Sequence, residues 1–238
     1  MEDKIQQFKQ LVNKCDNIVF FGGAGVSTES GIPDFRSKDG LYNQQYKYPP
    51  ETILSHTFFM NKTEEFFKFY KLKMNSLKYQ PNITHIKLAE LETKGKLKAV
   101  ITQNIDGLHQ KAGSKVVYEL HGSVLRNYCM KCHKFYDAEY VFNSNGIPRC
   151  SCGGIIKPDV VLYEEGLDEE TIENSIYAIQ KADLLIVAGT SLTVQPASGL
   201  INFFRGRNLV LINRDSTPYD NKANLVINDS LGKVFSNL

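Results

Sequence analysis

An apolar run, Ile18-Val19-Phe20-Phe21, passes directly into Gly22-Gly23-Ala24-Gly25 and then Val26-Ser27-Thr28-Glu29-Ser30. A short continuous apolar segment of this kind is the pattern of a parallel strand buried on both faces. The glycines let the backbone turn sharply and approach a ligand, and residues 26–30 can open a helix whose N-terminus favours a phosphate. Together these make the plan of a dinucleotide site at the end of a strand. The usual fingerprint is incomplete, because Thr28 stands at the third glycine of G-x-G-x-x-G and no acidic residue ends a second strand downstream. A lone GAG after a strand equally suits a plain tight turn.

The rest of the chain alternates. A helix over about 3–15 leads into strand 17–21, and residues 31–50 are rich in Gly and Pro, as a segment covering a cofactor would be. Residues 51–78 carry Phe58, Phe59, Phe66, Phe67, Phe69, Tyr70 and Met74 at helical spacings, which reads as core rather than pocket. Helix 84–94, strand 97–101, a short helix and strand 116–119 follow. After a cysteine-bearing region come strand 159–162, helix 168–181, strand 183–188, helix 196–204, strand 208–212 and strand 224–227. The expected fold is α/β: a Rossmann-like parallel sheet with helices on both faces. Ligands of such sheets bind outside the carboxyl ends of the strands, here after Phe21, Ile101, Leu120, Ala188, Ile212 and Ile227.

Cys129 and Cys132 are spaced C-x₂-C, and Cys150 and Cys152 C-x-C after seventeen intervening residues. Two such pairs suit one tetrahedral Zn²⁺, and four thiolates leave no open position for water, so the ion is expected to be structural. Two disulfides are the alternative, disfavoured in a cytoplasmic chain. His133 beside Cys132 could substitute as a ligand but ranks as a surface residue, and Cys15 reads as a buried helix-face residue. A formal net charge of +2 offers no footprint for nucleic acid, and the charged N-terminus reads as neither signal peptide nor membrane span. The expected localisation is cytoplasmic, and the expected oligomeric state a monomer.

Later segments extend the glycine loop's message: ESGIPDFRS, TQNIDGLH (Thr102–His109), ELHGS (Glu119–Ser123) and GTSL (Gly189–Leu192). In this order and spacing, with the cysteine quartet, the chain resembles the sirtuins, NAD-dependent protein-lysine deacylases, from about Asp16 onward. The resemblance implies one catalytic domain over 1–238. Within it, 16–30, 96–123 and 158–238 form the Rossmann-like part, 31–95 the cofactor loop and a helical module covering the cofactor, and 124–157 a small zinc-ribbon insert.

The resemblance also implies roles for individual residues. His121 is the general base, drawing a proton from a ribose hydroxyl of NAD. Ala24 and Thr28, with Thr190 and Ser191, line the phosphates and adenine ribose, Asn213 holds that ribose, and Asp229 is a weaker choice at the adenine end. Gln103 bonds the nicotinamide ribose, Ile105 packs on the pyridine ring, Asp106 accepts from the carboxamide, and Asn104 orders a water. Phe35 shields the reactive carbon and Arg36 bonds phosphate or holds the loop closed. The segment KPDVVLYEEG is the substrate strand, on which an acylated peptide adds along Val160 and Val161. His56, His85 and His109 read as structural.

In the implied reaction the acyl-lysine carbonyl oxygen attacks the ribose as nicotinamide leaves. His121 promotes closure by the ribose hydroxyl, and water releases lysine and O-acyl-ADP-ribose, so NAD is consumed. Sirtuins that prefer acidic acyl groups carry Tyr and, three residues on, Arg. Here Tyr70 is followed by Lys73, a point charge without the bidentate fork, which favours deacetylation. Longer-chain deacylation and mono-ADP-ribosyl transfer on the same NAD site remain open, and a non-catalytic binding module would need a broken pocket.

Overall fold

The structure is a computed structural model that describes residues 2–34 and 46–238. Six strands form a parallel sheet: β1 Ile18–Gly22, β2 Leu97–Thr102, β3 Val117–Glu119, β7 Leu184–Ala188, β8 Asn208–Ile212 and β9 Leu225–Ile227. Their order is β3-β2-β1-β7-β8-β9, so the order reverses between β1 and β7 and opens a crevice at their carboxyl ends. β1 and β7 are buried at every residue because helices cover both faces of the sheet. One face, with Ile18, Phe20, Ile186 and Val210, packs on α1 (Glu2–Lys14), α5 (Ile83–Thr93) and α9 (Leu231–Phe235). The alternate residues Val19, Phe21, Leu185 and Val187 face α8 (Glu169–Lys181) and a 3₁₀ helix, Ala197–Phe203.

Three further strands, β4 Gly122–Cys129, β5 Phe135–Asp137 and β6 Ile156–Val160, make a small antiparallel sheet in the order β5-β4-β6. The strand expected at 159–162 is thus β6. It starts at Ile156 and lies outside the parallel sheet, because Cys129 pairs with Ile156 and Gly122 with Val160. The small sheet shares its core with α4 (Thr63–Lys73) and α7 (Ala138–Asn143): Phe66, Phe67 and Tyr70 pack with Val124, Val141, Phe142 and Ile156. The aromatic stripe is core, as its spacing suggests. Tyr70 is fully buried, its ring stacked on Phe142 (5.6 Å, 3°) and Phe66 (5.5 Å, 15°).

Two expected helices take a tighter form. The segment after the glycines is a pair of single 3₁₀ turns, Ala24–Val26 and Thr28–Ser30, closed by Gly31 at φ 90°. It therefore presents no α-helical N-terminus to a phosphate. The segment expected as a helix at 196–204 is the 3₁₀ helix Ala197–Phe203. Among the described residues no helix is long and apolar enough to cross a membrane.

Candidate functional site

The glycines of the first loop serve close packing as much as ligand approach. Gly25 N–H donates to the Gly189 carbonyl at 2.8 Å. A Cβ on Gly25 would lie 2.8 Å from Gly189 Cα, and one on Gly23 would lie 2.7 Å from Thr190 Cβ. The turns after β1 and β7 are thereby pressed together at the crevice. Gln103, just past β2, links both of these strand ends, since its N–H bonds the Gly22 carbonyl at 2.9 Å and its Nε2 donates to Thr190 Oγ1 at 3.1 Å. Thr190 N–H in turn donates to Asn213 Oδ1 at 2.9 Å, beyond the end of β8. Asn213 Nδ2 is buried and has no partner among the described residues, so a donor is left over for a ribose hydroxyl. With that spare donor beside the strand-end turns, the residues fit a dinucleotide.

Asp106 is buried, with Oδ2 accepting from Ser27 Oγ at 2.6 Å and Oδ1 from Leu108 N–H at 2.9 Å. Burial pushes its pKa up against the pull of those two bonds. Asn104 Nδ2 donates to the same Ser27 hydroxyl at 3.1 Å, and Ser76 Oγ holds the Asp106 carbonyl at 3.0 Å. Ser27 joins the two loops, yet it was not singled out in the sequence. The available signal was its position inside the quoted glycine motif. Ile105 is half-buried, and its carbonyl accepts from Val124 N–H at 3.0 Å.

His121 stands where the two sheets meet. Its ring Nδ1 lies 2.9 Å from the Gln103 carbonyl. A carbonyl can only accept, so the proton sits on Nδ1 and the neutral ring keeps a bare Nε2. Burial lowers the pKa of this histidine, and the bond to Gln103 opposes the shift in part. The His121 carbonyl accepts from Val161 N–H at 3.0 Å, which brings Val160 and Val161 beside it. Gly122 permits this approach, because at φ 72° a Cβ would run into the Asp159 carbonyl oxygen. Arg126 braces the junction through Glu119 (2.5 Å) and Asp159 (2.7 Å).

Other expected residues take partners of their own. Thr28 Oγ1 bonds the Gly25 carbonyl at 3.0 Å, and Ala24 is half-buried on the same loop. Ser191 is exposed and bonds Thr193 at 2.8 Å. Asp229 follows the outermost strand β9, and its carboxylate is taken by Lys233 Nζ (2.6 Å) and Ser230 N–H (2.8 Å). Phe35 and Arg36 lie outside the described residues. The Tyr70 hydroxyl is sealed in the core without a partner among the described residues, and Lys73 Nζ lies 5.4 Å from the centre of the Tyr46 ring.

The four expected metal ligands converge. The Sγ atoms of Cys129, Cys132, Cys150 and Cys152 all lie within 4.8 Å of one another, with contacts of 3.5, 3.5 and 3.4 Å. Thiolates on a tetrahedral zinc stand about 3.8 Å apart, so the quartet fits that ion. Backbone N–H groups of Lys131 and Cys152 point at Cys129 and Cys150 sulfurs (3.4 and 3.5 Å), and a Cβ on Gly154 would come 2.6 Å from Cys129 Sγ.

The Sir2 family profile matches residues 23–196. The chain belongs to the Sir2 family. It is 62% identical over 238 residues to a Clostridium perfringens protein named NAD-dependent protein deacetylase, with 98% of each chain covered. A Staphylococcus aureus protein of the same name is 45% identical over 241 residues, covering 100% of this chain and 99% of that one. Among solved structures, a Sir2 with p53 peptide and NAD+ superposes with a TM-score of 0.86 at 40% identity, over 98% of this chain and 95% of the other. Another, with deacetylated p53 peptide and 3'-O-acetyl ADP-ribose, gives 0.90 at 39% identity, over 98% and 96%. The crevice, the buried Asp106 carboxylate, the His121 imidazole and the four-cysteine cluster thus belong to a Sir2 chain.

Proposed function

We propose that this Sir2 chain is an NAD-dependent protein-lysine deacetylase that moves the acetyl group of acetyl-lysine onto ADP-ribose, with a structural zinc ion on its four cysteines. The observation that carries the reading is the His121 ring, locked by the Gln103 carbonyl with Nε2 free to take a proton. When bound, NAD supplies a ribosyl bond from which nicotinamide can leave. His121 Nε2 receives the proton of a ribose hydroxyl, and the Gln103 carbonyl steadies the imidazolium that results. Its lowered pKa keeps the base neutral at neutral pH.

The remaining roles follow the same reading. Asp106 accepts from the carboxamide in a site whose burial excludes water, and Ile105 packs against the ring. Gln103, Thr190, Ser191 and Asn213 bond the riboses, Ala24 and Thr28 line the phosphates, and Asp229 closes the adenine end. Phe35 and Arg36 cover the cofactor. The peptide adds as a strand along Val160 and Val161, where main-chain bonds demand little of its sequence. The division into a Rossmann-like part, a helical module over 31–95 and a zinc insert over 124–157 belongs to this reading, with the insert sharing its core with the module. A reducing, cytoplasmic compartment fits five cysteines that form no disulfide.

Incubating the purified chain with an acetyl-lysine peptide and NAD, and following both by mass spectrometry, tests the proposal. Free lysine with equimolar O-acetyl-ADP-ribose is expected. ADP-ribosylated protein with the acetyl group intact would replace the reading with mono-ADP-ribosyl transfer.

A further inference from the structure

Asn82 lies outside every cofactor motif, yet its side chain ties the glycine loop to the body of the protein. Its Oδ1 accepts from Thr84 N–H at 3.0 Å and so caps α5, while Asn82 N–H donates to His85 Nδ1 at 3.3 Å to complete a capping box. Its Nδ2 donates to the Val26 carbonyl at 2.8 Å and to Ser30 Oγ at 3.0 Å. The Thr84 donor and the Val26 acceptor fix which atom of the amide is oxygen and which is nitrogen.

Val26 and Ser30 bracket Ser27, whose hydroxyl donates to Asp106. Residues 24–30 have no α-helix of their own to hold them, only two single 3₁₀ turns and the left-handed Gly31. Their placement therefore depends on tethers from neighbouring elements, and Asn82 supplies two at once. A further tether, Gly232 N–H to the Glu29 carboxylate at 3.1 Å, is on the solvent side.

We infer that Asn82 is a positioning residue for NAD binding: its amide clamps both ends of the loop that carries Ser27, and through Ser27 it aims Asp106. The inference rests on the deacetylase reading only for the identity of the dinucleotide. Asn82→Asp is the informative change. Aspartate caps a helix as well as asparagine does, so α5 keeps its cap. Both Nδ2 donors are lost, however, and a carboxylate oxygen then faces the Val26 carbonyl.

The experiment measures the calorimetric Kd for NAD and for ADP-ribose, the KM for NAD and for acetyl-peptide, and the thermal midpoint. In Asn82→Asp the Kd and KM for NAD rise about tenfold, as two lost hydrogen bonds would give, while peptide KM stays within about twofold and the midpoint within a few degrees. Ser30→Ala removes one partner of the clamp and leaves the cap untouched, so NAD Kd rises by roughly two- to threefold. Wild-type NAD affinity in a folded Asn82→Asp overturns the inference, as does an equal rise in both KM values with a lowered midpoint. Should Asn82→Asp fail to fold, an unchanged NAD Kd in Ser30→Ala overturns it. A wild-type chain that binds no NAD would overturn the deacetylase reading itself, whereas normal wild-type binding with an unaffected Asn82→Asp sinks this inference alone.

Discussion

In the parallel sheet β1 and β7 are buried at every residue, whereas in the small sheet β6 buries alternate residues and β5 buries none. The first kind of strand gains enough apolar burial to be held by its own side chains, at roughly 1.5–3 kcal/mol for each fully buried Val, Leu, Ile or Phe. The second kind is stabilised from outside. It shares the aromatic core of α4 through Phe66 and Tyr70, and it is stapled by four thiols whose ligand geometry suits zinc. The two meet at His121, the base of the proposed reaction, whose ring is held by the Gln103 carbonyl at the end of β2 and whose carbonyl is held by Val161 beyond β6.

The largest effect should come at that junction. His121→Ala is expected to lower deacetylation by roughly 10²–10⁴-fold, with circular dichroism and NAD affinity close to wild type. Near-normal turnover would move the base elsewhere and remove the junction from the chemistry.

Cys150→Ser, or chelation, should separate the two regions outright. A loss of about 4 kcal/mol or more is expected, in the range reserved for metal removal. Hydrogen exchange should then rise across β4, β5 and β6 while β1 and β7 stay protected. Simultaneous melting of both sheets would break the comparison. Cobalt in place of zinc should leave the rate within about twofold, because a four-thiolate site has no position for a reacting water.

Acid should weaken the other region. Burial lowers the pKa of His85 to about 4 and holds that of His109 well below its usual value. Both rings are neutral in the folded chain and become protonated only on unfolding, so stability falls as pH drops from about 6.5 toward 4. His85 alone accounts for about 3 kcal/mol of that loss. Asp106, with its pKa raised by burial, acts in the opposite sense over the acidic end. Denaturant titrations at several pH values check the slope, and a flat profile would mean these rings are hydrated in the folded state.

Smaller effects sharpen the picture within each region. Asp106→Asn should weaken nicotinamide inhibition about tenfold while ADP-ribose binding is little changed, consistent with loss of one charged hydrogen bond. Unaltered nicotinamide sensitivity would reassign Asp106 to loop structure. Tyr70→Phe removes a buried hydroxyl that has no partner among the described residues and should be neutral or raise stability by up to about 1 kcal/mol. A clear loss of stability there would show that the hydroxyl is satisfied in solution.

Much of this architecture was legible before any coordinates. Strands β1, β7 and β8 announce themselves as continuous apolar runs, and the cysteine spacing alone points to one metal site. The expected strands of the parallel sheet agree with the observed ones to within a residue, whereas β4 and β5 are not expected at all and 159–162 changes sheet, since its run KPDVVLY suits a buried strand in either sheet. What assigns it to the small sheet is non-local: the pairing of Cys129 with Ile156 and the bare Cα of Gly122 against Asp159. The 3₁₀ turns at 24–30 were likewise hidden, because Gly25 N–H spends its hydrogen bond on Gly189, over 160 residues away, rather than on a local helix.

The sequence by itself determined which residue types are available and roughly where each strand of the parallel sheet ends, because burial pattern and turn chemistry are local properties. Only the tertiary structure decided which strand ends become neighbours, and with that the Nδ1 proton of His121, the raised pKa of Asp106, and the bridging parts of Ser27 and Asn82. Those properties arise from hydrogen bonds and desolvation between segments far apart in the chain, and such contacts leave no periodicity in the residues that make them.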